Sequence, residues 1–475
     1  MAKVTKEKEK IVPLHMQKNE DMAIKGTTTE LGTQKVGKLL MQYAIPAIIA
    51  MTASSLYNMV DSIFIGQGVG AMAISGLAIS FPFMNLAAAF GAMVGVGAST
   101  LVSVRLGQKD YASAKKVLGN VVTLNLIIGI LFSTISLIFL NPILYFFGAS
   151  STTLPYAKDY MVVILLGNVF SHMYLGLNAM LRASGHPKHA MYATIVAEVL
   201  NTLLDPLFIY VFDWGIQGAA IATILSEIVS MIWQLTIFSN KKELIHLEKG
   251  TYSLDRKIVK DTIAIGLSPF LMNLTACFIV ILVNNRLHQY GGDLAIGAYG
   301  ITARISFVFI MIVMGLNQGM QPIAGFNFGA KLFPRVTKVL KLTIGGATLI
   351  TCIGFLIGEL MPNAVCSIFT SDKTLVTISA NAMRIIFAAF PIIGFQMVTT
   401  NFFQSIGIAK IAIFLSLTRQ LLFLLPGLIF FPPLLELNGV WLSMPVSDTM
   451  ASLVAAIFLV RQFKIFHRQA AQLNT

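Results

Sequence analysis

The sequence predicts an all-α polytopic membrane protein, with twelve crossing helices in two pseudo-symmetric lobes of six. Three observations predict it: the length of the apolar runs, the side on which basic residues collect, and a self-similarity at constant offset. With 56% hydrophobic residues, 12% charged ones and a mean hydropathy of +0.77 over 475 residues, the chain is far more apolar than a domain with a watery surface. A soluble enzyme is thereby excluded.

The apolar runs are roughly 20 to 25 residues long, the length with which a helix crosses ~30 Å of hydrocarbon. They cover 39–65, 74–103, 117–140, 155–180, 189–211, 217–238, 261–285, 295–322, 336–360, 378–403, 409–431 and 439–462. Lipid admits only helices and closed barrels, because every backbone N–H and C=O must be paired internally. Barrel strands are ~10 residues of alternating polarity, whereas these runs are long and continuous.

A net charge of +13 would suit a nucleic-acid binder, but its distribution excludes that partner. With the amino terminus in the cytoplasm, 28 of the 34 Lys and Arg fall in the tails and the even-to-odd connections, and only Lys158, Arg286 and Lys373 lie opposite. This is the positive-inside pattern, and it places both termini on the cytoplasmic side of a cell inner membrane. The expected organisation is a polar cytoplasmic tail 1–38, an amino-terminal lobe 39–238, a cytoplasmic linker 239–260, a carboxy-terminal lobe 261–462 and a cytoplasmic tail 463–475. No cleavable signal pattern precedes the first run. Cys277, Cys352 and Cys366 lack metal or disulfide spacing and read as packing residues. Without a phosphate-cradling Gly-rich motif the chain has no ATPase of its own, so uphill movement must draw on an ion gradient.

The repeat appears at an offset of 222 residues. Ala73–Ser80 aligns with Ala295–Thr302, Gly97 with Gly319, Gly107 with Gly329, Lys109 with Lys331 and Gly185 with Gly407. With one residue of slippage, Pro46 answers Pro269 and Glu227 answers Asp448. Six crossings per unit leave both lobes in the same orientation, related by an axis along the membrane normal with a cavity between them. Two lobes in one chain suit alternating access, so the working unit is expected to be a monomer.

Acids within spans are costly and mark functional sites; here they are Asp61, Glu198, Asp205, Glu227, Glu359 and Asp448. Counting from helix ends puts Asp61, Asp205 and Thr223 at one depth, one to one and a half turns from the outer surface. Asn201 shares the face of Asp205, four residues away. Two carboxylates brought together in low dielectric share a proton or hold a cation between them, and hard oxygen ligands suit Na⁺ or H⁺. Glu198 and Glu227 extend the polar stripe one turn inward. Arg304, Arg384 and Arg419 are the basic residues within spans, with Asp448 as the expected ion-pair partner. No nucleophile–base arrangement supports catalysis.

These residues resemble the multidrug and toxic compound extrusion (MATE) family over about residues 38–462. The likeness rests on Pro46 followed by Tyr57-Asn58-Met59-Val60-Asp61, on Leu181-Arg182-Ala183-Ser184-Gly185, and on Asn201-Thr202-Leu203-Leu204-Asp205-Pro206 followed by Thr223. The overall pattern is similar to the bacterial MepA-type branch. The resemblance implies that Asp61, Asn201, Asp205 and Thr223 form a cation site in the first lobe, with Na⁺ or H⁺ as coupling ion and no other cofactor. It implies that Tyr57 and Asn178 neighbour that site, Asn178 toward the substrate cavity, and that helix one bends at Pro46. Members with acidic cation ligands in the second lobe differ from this chain, which offers Asn273, Thr275 and Asn284 there. The implied activity is export of cationic, amphipathic drugs or toxic metabolites by antiport. A flippase for a lipid-linked precursor is the alternative, but its cavity should be basic, and the first-lobe candidates here are acidic.

Overall fold

The computed structural model describes residues 28–473, and these are helical with short connections. After a short helix, Thr28–Thr33, come α1 (Val36–Gly68), α2 (Ala71–Gly107), α3 (Tyr111–Ile138), α4 (Leu154–Ala183), α5 (Pro187–Pro206, continued by a wider turn at Leu207–Val211) and α6 (Gly215–Ser239). A 74-residue helical stretch, Arg256–Gly329, breaks at Gly292 (φ 64°, ψ −163°) into α7 (256–291) and α8 (293–329). Then follow α9 (Phe333–Leu360), α10 (Lys373–Phe387 and Phe390–Ser405, bent by 53°), α11 (Ala409–Phe430) and α12 (Pro432–Leu473). Among the described residues ten helices are long and apolar enough to cross a membrane; the bent pair makes eleven, and division at Gly292 makes the twelve expected.

The repeat is written into the backbone. Positive φ recurs at the expected offset: Gly70 (110°) and Gly292 (64°), Lys109 (61°) and Lys331 (58°), Gly185 (97°) and Gly407 (76°). Short helices Leu140–Phe146 and Pro362–Ser367 occupy equivalent places. Local chemistry fixes helix starts: Asp110, Asp255 and Asp372 each accept backbone N–H bonds from the first turn of α3, α7 and α10, satisfying donors that have no partner within the helix.

Each lobe has an inner core near the face that carries the chain's described ends and most basic residues (the basic face), and an outer core. In the first lobe, Val94, Leu118, Leu177 and Phe238 anchor the inner core and Ile65, Leu77, Tyr160 and Ile216 the outer. The packing departs from the simple division of the sequence at one element per lobe. The first half of α1 (Leu39, Leu40, Tyr43, Ala44) lies in the second lobe's inner core with Met320, Val339 and Phe402. Reciprocally, Ile258 of α7 packs into the first lobe. Pro46 follows this crossing segment, and α1 continues unbroken through it to Ile65 in the outer core of the first lobe.

The lobes meet closely on the basic face. A Cβ on Gly107 would stand 1.9 Å from the Phe326 carbonyl oxygen, and one on Gly329 2.1 Å from that of Val104. Since Gly107 and Val104 are the repeat partners of Gly329 and Phe326, this α2–α8 crossing lies on the pseudo-symmetry axis. Gln321 of α8 reaches across it, its amide donating to Ser99 Oγ (3.0 Å) and Thr100 Oγ1 (2.9 Å) of α2.

The inter-lobe connection runs from 240 to 255, within the expected 239–260, and is strapped to the first lobe. Lys115 meets Glu248 and Lys116 meets Asp255, both at 2.9 Å, and Asn120 donates to Thr251 O and Ser253 O. His186 Nε2 lies 2.8 Å from Glu243, with burial pushing its imidazole down to about 4, so it pairs as a neutral ring. The lysine hydrogen bonds hold Asp255 and Glu248 below their ordinary values of 3.8 and 4.5. The strap's electrostatic stabilisation is therefore complete above those ordinary values and is lost as pH falls through the depressed ones. A spin label at Lys249 should keep one mobility between about pH 5 and 8 and loosen below about pH 4.

Candidate cation and substrate site

α1, α4, α5 and α6 converge in the outer part of the first lobe. Asp61 (6% exposed) and Asp205 (fully buried) bring their carboxyl groups within hydrogen-bonding reach of one another. Among the described residues no donor serves Asp61 Oδ1, either oxygen of Asp205, or Asn201 Oδ1. Thr223 Oγ1 accepts from Asn201 Nδ2 (3.0 Å), lies 3.1 Å from the Tyr57 hydroxyl and donates to Ala219 O. The helical spacing explains the convergence: Tyr57 and Asp61 are one turn apart on α1, Asn201 and Asp205 one turn apart on α5.

Buried oxygens without donors are costly unless something positive meets them. A donor set of carboxylates and an amide oxygen fits a proton or a hard monovalent cation such as Na⁺. Four of the sequence-predicted residues, with Tyr57 beside them, are thus brought together.

One turn inward, Ser54 donates to Glu198 Oε1 (2.6 Å) and Ser171 donates to Glu227. Each glutamate interacts electrostatically with its neighbours, Glu198 with Asp61 and Glu227 with Glu198, so the four acids form one stripe. Asn178 stands apart from it. Its amide donates to Ala190 O (2.9 Å) and Thr194 Oγ1 (3.3 Å), and its oxygen accepts from Arg182.

Three participants were not singled out in the sequence. Ser54 lies seven residues before Asp61, on its face, and that spacing could have found it. Tyr160, fully buried, lies within electrostatic reach of both Asp61 and Asp205. Its signal was depth, six residues from the outer start of α4. Ser171 carries no signal beyond its place on α4.

The second lobe holds a different arrangement. Arg419 pairs with Asp448 as expected, beside a hydrogen bond from Thr275 to Gln420, while Arg304 and Arg384 join no ion pair among the described residues. Among the described residues the carboxylate cluster is confined to the first lobe.

Replacing Tyr57 with Phe removes one hydroxyl from Thr223. A net hydrogen bond is worth about 1 kcal/mol, so cation affinity should weaken roughly five-fold with folding intact, as read by cation titration of drug binding.

Two six-helix lobes of equal orientation, closely apposed on one face and holding a buried carboxylate pair, define a membrane transporter rather than an enzyme. The MatE family model matches residues 46–207 and 265–429, one segment per lobe, and the chain belongs to that family. It is 26% identical over 428 residues to the multidrug export protein MepA of Staphylococcus aureus (strain NCTC 8325 / PS 47), covering 89% of this chain and 93% of that protein. It is likewise 26% identical over 423 residues to MepA of Staphylococcus haemolyticus (strain JCSC1435). Among solved structures, the MATE multidrug transporter DinF-BH, determined as a ligand complex, superposes with a TM-score of 0.85 at 34% identity, covering 92% of this chain and 98% of that one. The outward-facing conformation of a multidrug resistance MATE family transporter shares the fold with a TM-score of 0.87, over 94% and 99% of the two chains.

Proposed function

We propose that this chain is a secondary antiporter that exports cationic, amphipathic small molecules, drugs or toxic metabolites, from the cytoplasm in exchange for Na⁺ or H⁺. The observation that carries the reading is the facing pair Asp61 and Asp205 with unserved oxygens in a buried first-lobe site. A proton or cation arriving from outside neutralises the pair, and its release resets it. Asn201, Thr223 and Tyr57 position that ion. Glu198 and Glu227 supply negative charge to a cationic substrate, while Asn178, apart from the stripe, ties α4 to α5. Pro46, whose ring removes one helical hydrogen bond, is where α1 would bend between its segment in the second lobe and its segment in the first as the lobes move.

The basic face is the cytoplasmic one, with both termini there, and the protein works as a monomer in the cytoplasmic membrane. Relatives described as multidrug exporters and as a multidrug transporter support a broad substrate range. The deciding experiment is dye exchange in proteoliposomes. A cationic dye should move against an imposed Na⁺ or pH gradient. Flux indifferent to both gradients would refute antiport, and the ion that drives it names the coupling ion.

A further inference from the structure

The segment Leu181-Arg182-Ala183-Ser184-Gly185 closes the carboxyl end of α4. Gly185 takes φ 97°, and His186 N bonds to Leu181 O (2.8 Å). The arginine is not needed for that closure. Arg182 joins none of the ion pairs among the described residues, and its one side-chain partner is the neutral Asn178 oxygen. Its place in the last turn of α4 complements the helix dipole, but so would any cation there.

Its surroundings are what set it apart. Arg182 lines a crevice with Ser99 and Ser103 of α2 and Gln318 and Gln321 of α8, where the lobes meet, and the crevice is too narrow to hold a water molecule. The buried Tyr174, two turns outward of Arg182 on α4, is within electrostatic reach of Glu198, Glu227 and Arg182. Glu198 is in turn within reach of Asp61. The first lobe therefore carries one polar column: the Asp61–Asp205 pair, then the two glutamates, then Tyr174. At the inter-lobe floor it ends in a single guanidinium with no counter-charge among the described residues.

We infer that Arg182 is an electrostatic barrier that keeps cations of the basic face from reaching the carboxylate column while the lobes are closed there. A column of acids attracts cations from either side, and an antiporter whose site filled from both sides at once would dissipate its gradient. A guanidinium stays charged in proteins, and a fixed positive charge at a constriction excludes protons and metal cations. When the lobes separate, water and counter-ions screen Arg182 and the same route opens for release. The residue acts through its field on the ion path and is a positioning group rather than an ion ligand. This inference rests on the antiport reading.

The test uses full-length protein in liposomes without drug, with Na⁺-sensitive and pH-sensitive dyes inside. Arg182→Gln keeps a donor for Asn178 but removes the charge, and Arg182→Lys keeps the charge. Arg182→Gln should raise passive Na⁺ or H⁺ leak roughly ten-fold or more, Arg182→Lys should stay near the wild type, and Glu198→Gln added to Arg182→Gln should reduce the leak. Thermal unfolding of each variant separates leak from loss of folding. Equal leak in the Gln and Lys variants, or a tight, folded Arg182→Gln protein, overturns the barrier. If the wild type itself shows no gradient-driven exchange, it is the antiport reading that fails, and the leak measurement reports that separately.

Discussion

Asp205→Asn is expected to abolish gradient-driven export while leaving the protein folded and able to bind drug. Asp205 is fully buried, and among the described residues neither of its oxygens receives a hydrogen bond. Asparagine has nearly the same shape, so no cavity opens. Its amide can donate to the Asp61 carboxylate, which holds the pair permanently in the arrangement otherwise produced by a shared proton. A charged hydrogen-bonding partner is worth about 1.5–3 kcal/mol, so ion affinity should fall roughly ten- to hundred-fold. Drug binding should then lose its dependence on Na⁺ and pH. Dye flux in proteoliposomes reads the first effect and equilibrium dye binding at varied Na⁺ and pH the second. A mutant that still exports at the wild-type rate would remove the pair from the mechanism. Asp448→Asn is the informative contrast. Asp448 pairs with Arg419 in the second lobe, so its loss should lower thermal stability and leave the ion dependence of transport in place.

Gly107→Ala is expected to open the basic face. The new methyl group would lie 1.9 Å from the Phe326 oxygen and 2.8 Å from Ala330 N, both backbone atoms that cannot swing aside. Overpacking of this kind costs about 1–3 kcal/mol, and because the crossing lies between lobes, separation relieves it without unfolding either one. The equilibrium between closed and open basic faces should move roughly ten- to hundred-fold toward open. A cysteine placed at the buried Ser103, in a background lacking Cys277, Cys352 and Cys366, should then react with a membrane-impermeant thiol reagent at least about ten times faster. Gly345→Ala, where nothing lies within 4 Å, is the matched control and should change nothing. Unchanged labelling in Gly107→Ala would mean that the crossing does not set the balance between the two states.

Much of the site is readable without the fold. In a membrane an acid is expensive, so Asp61, Asp205, Glu198 and Glu227 stand out against lipid-compatible neighbours. Antiparallel crossing converts sequence position into depth, which is how Thr223, 18 residues after Asp205 in the chain, can be placed beside it. Tyr160 and Ser171 escape because tyrosine and serine are ordinary in membrane helices, and only lateral packing decides which of them faces the acids. Asn178 shows the same limit: its residue type suits a cavity, but its hydrogen bonds to Ala190 and Thr194 tie α4 to α5.

The number of crossings, the repeat, the asymmetry of charge and the confinement of paired acids to the first lobe are all legible in the chain of residues. Those properties follow from composition and period, which act along a single helix. Three others emerge only once the helices are assembled: the first half of α1 packs in the opposite lobe, Gly107 and Gly329 meet on the pseudo-symmetry axis, and Arg182 faces the seam without a counter-ion among the described residues. The reason is physical. Lipid is as apolar as a helix's own side chains, so hydropathy cannot say which apolar face meets protein and which meets lipid; that choice falls to close packing between helices.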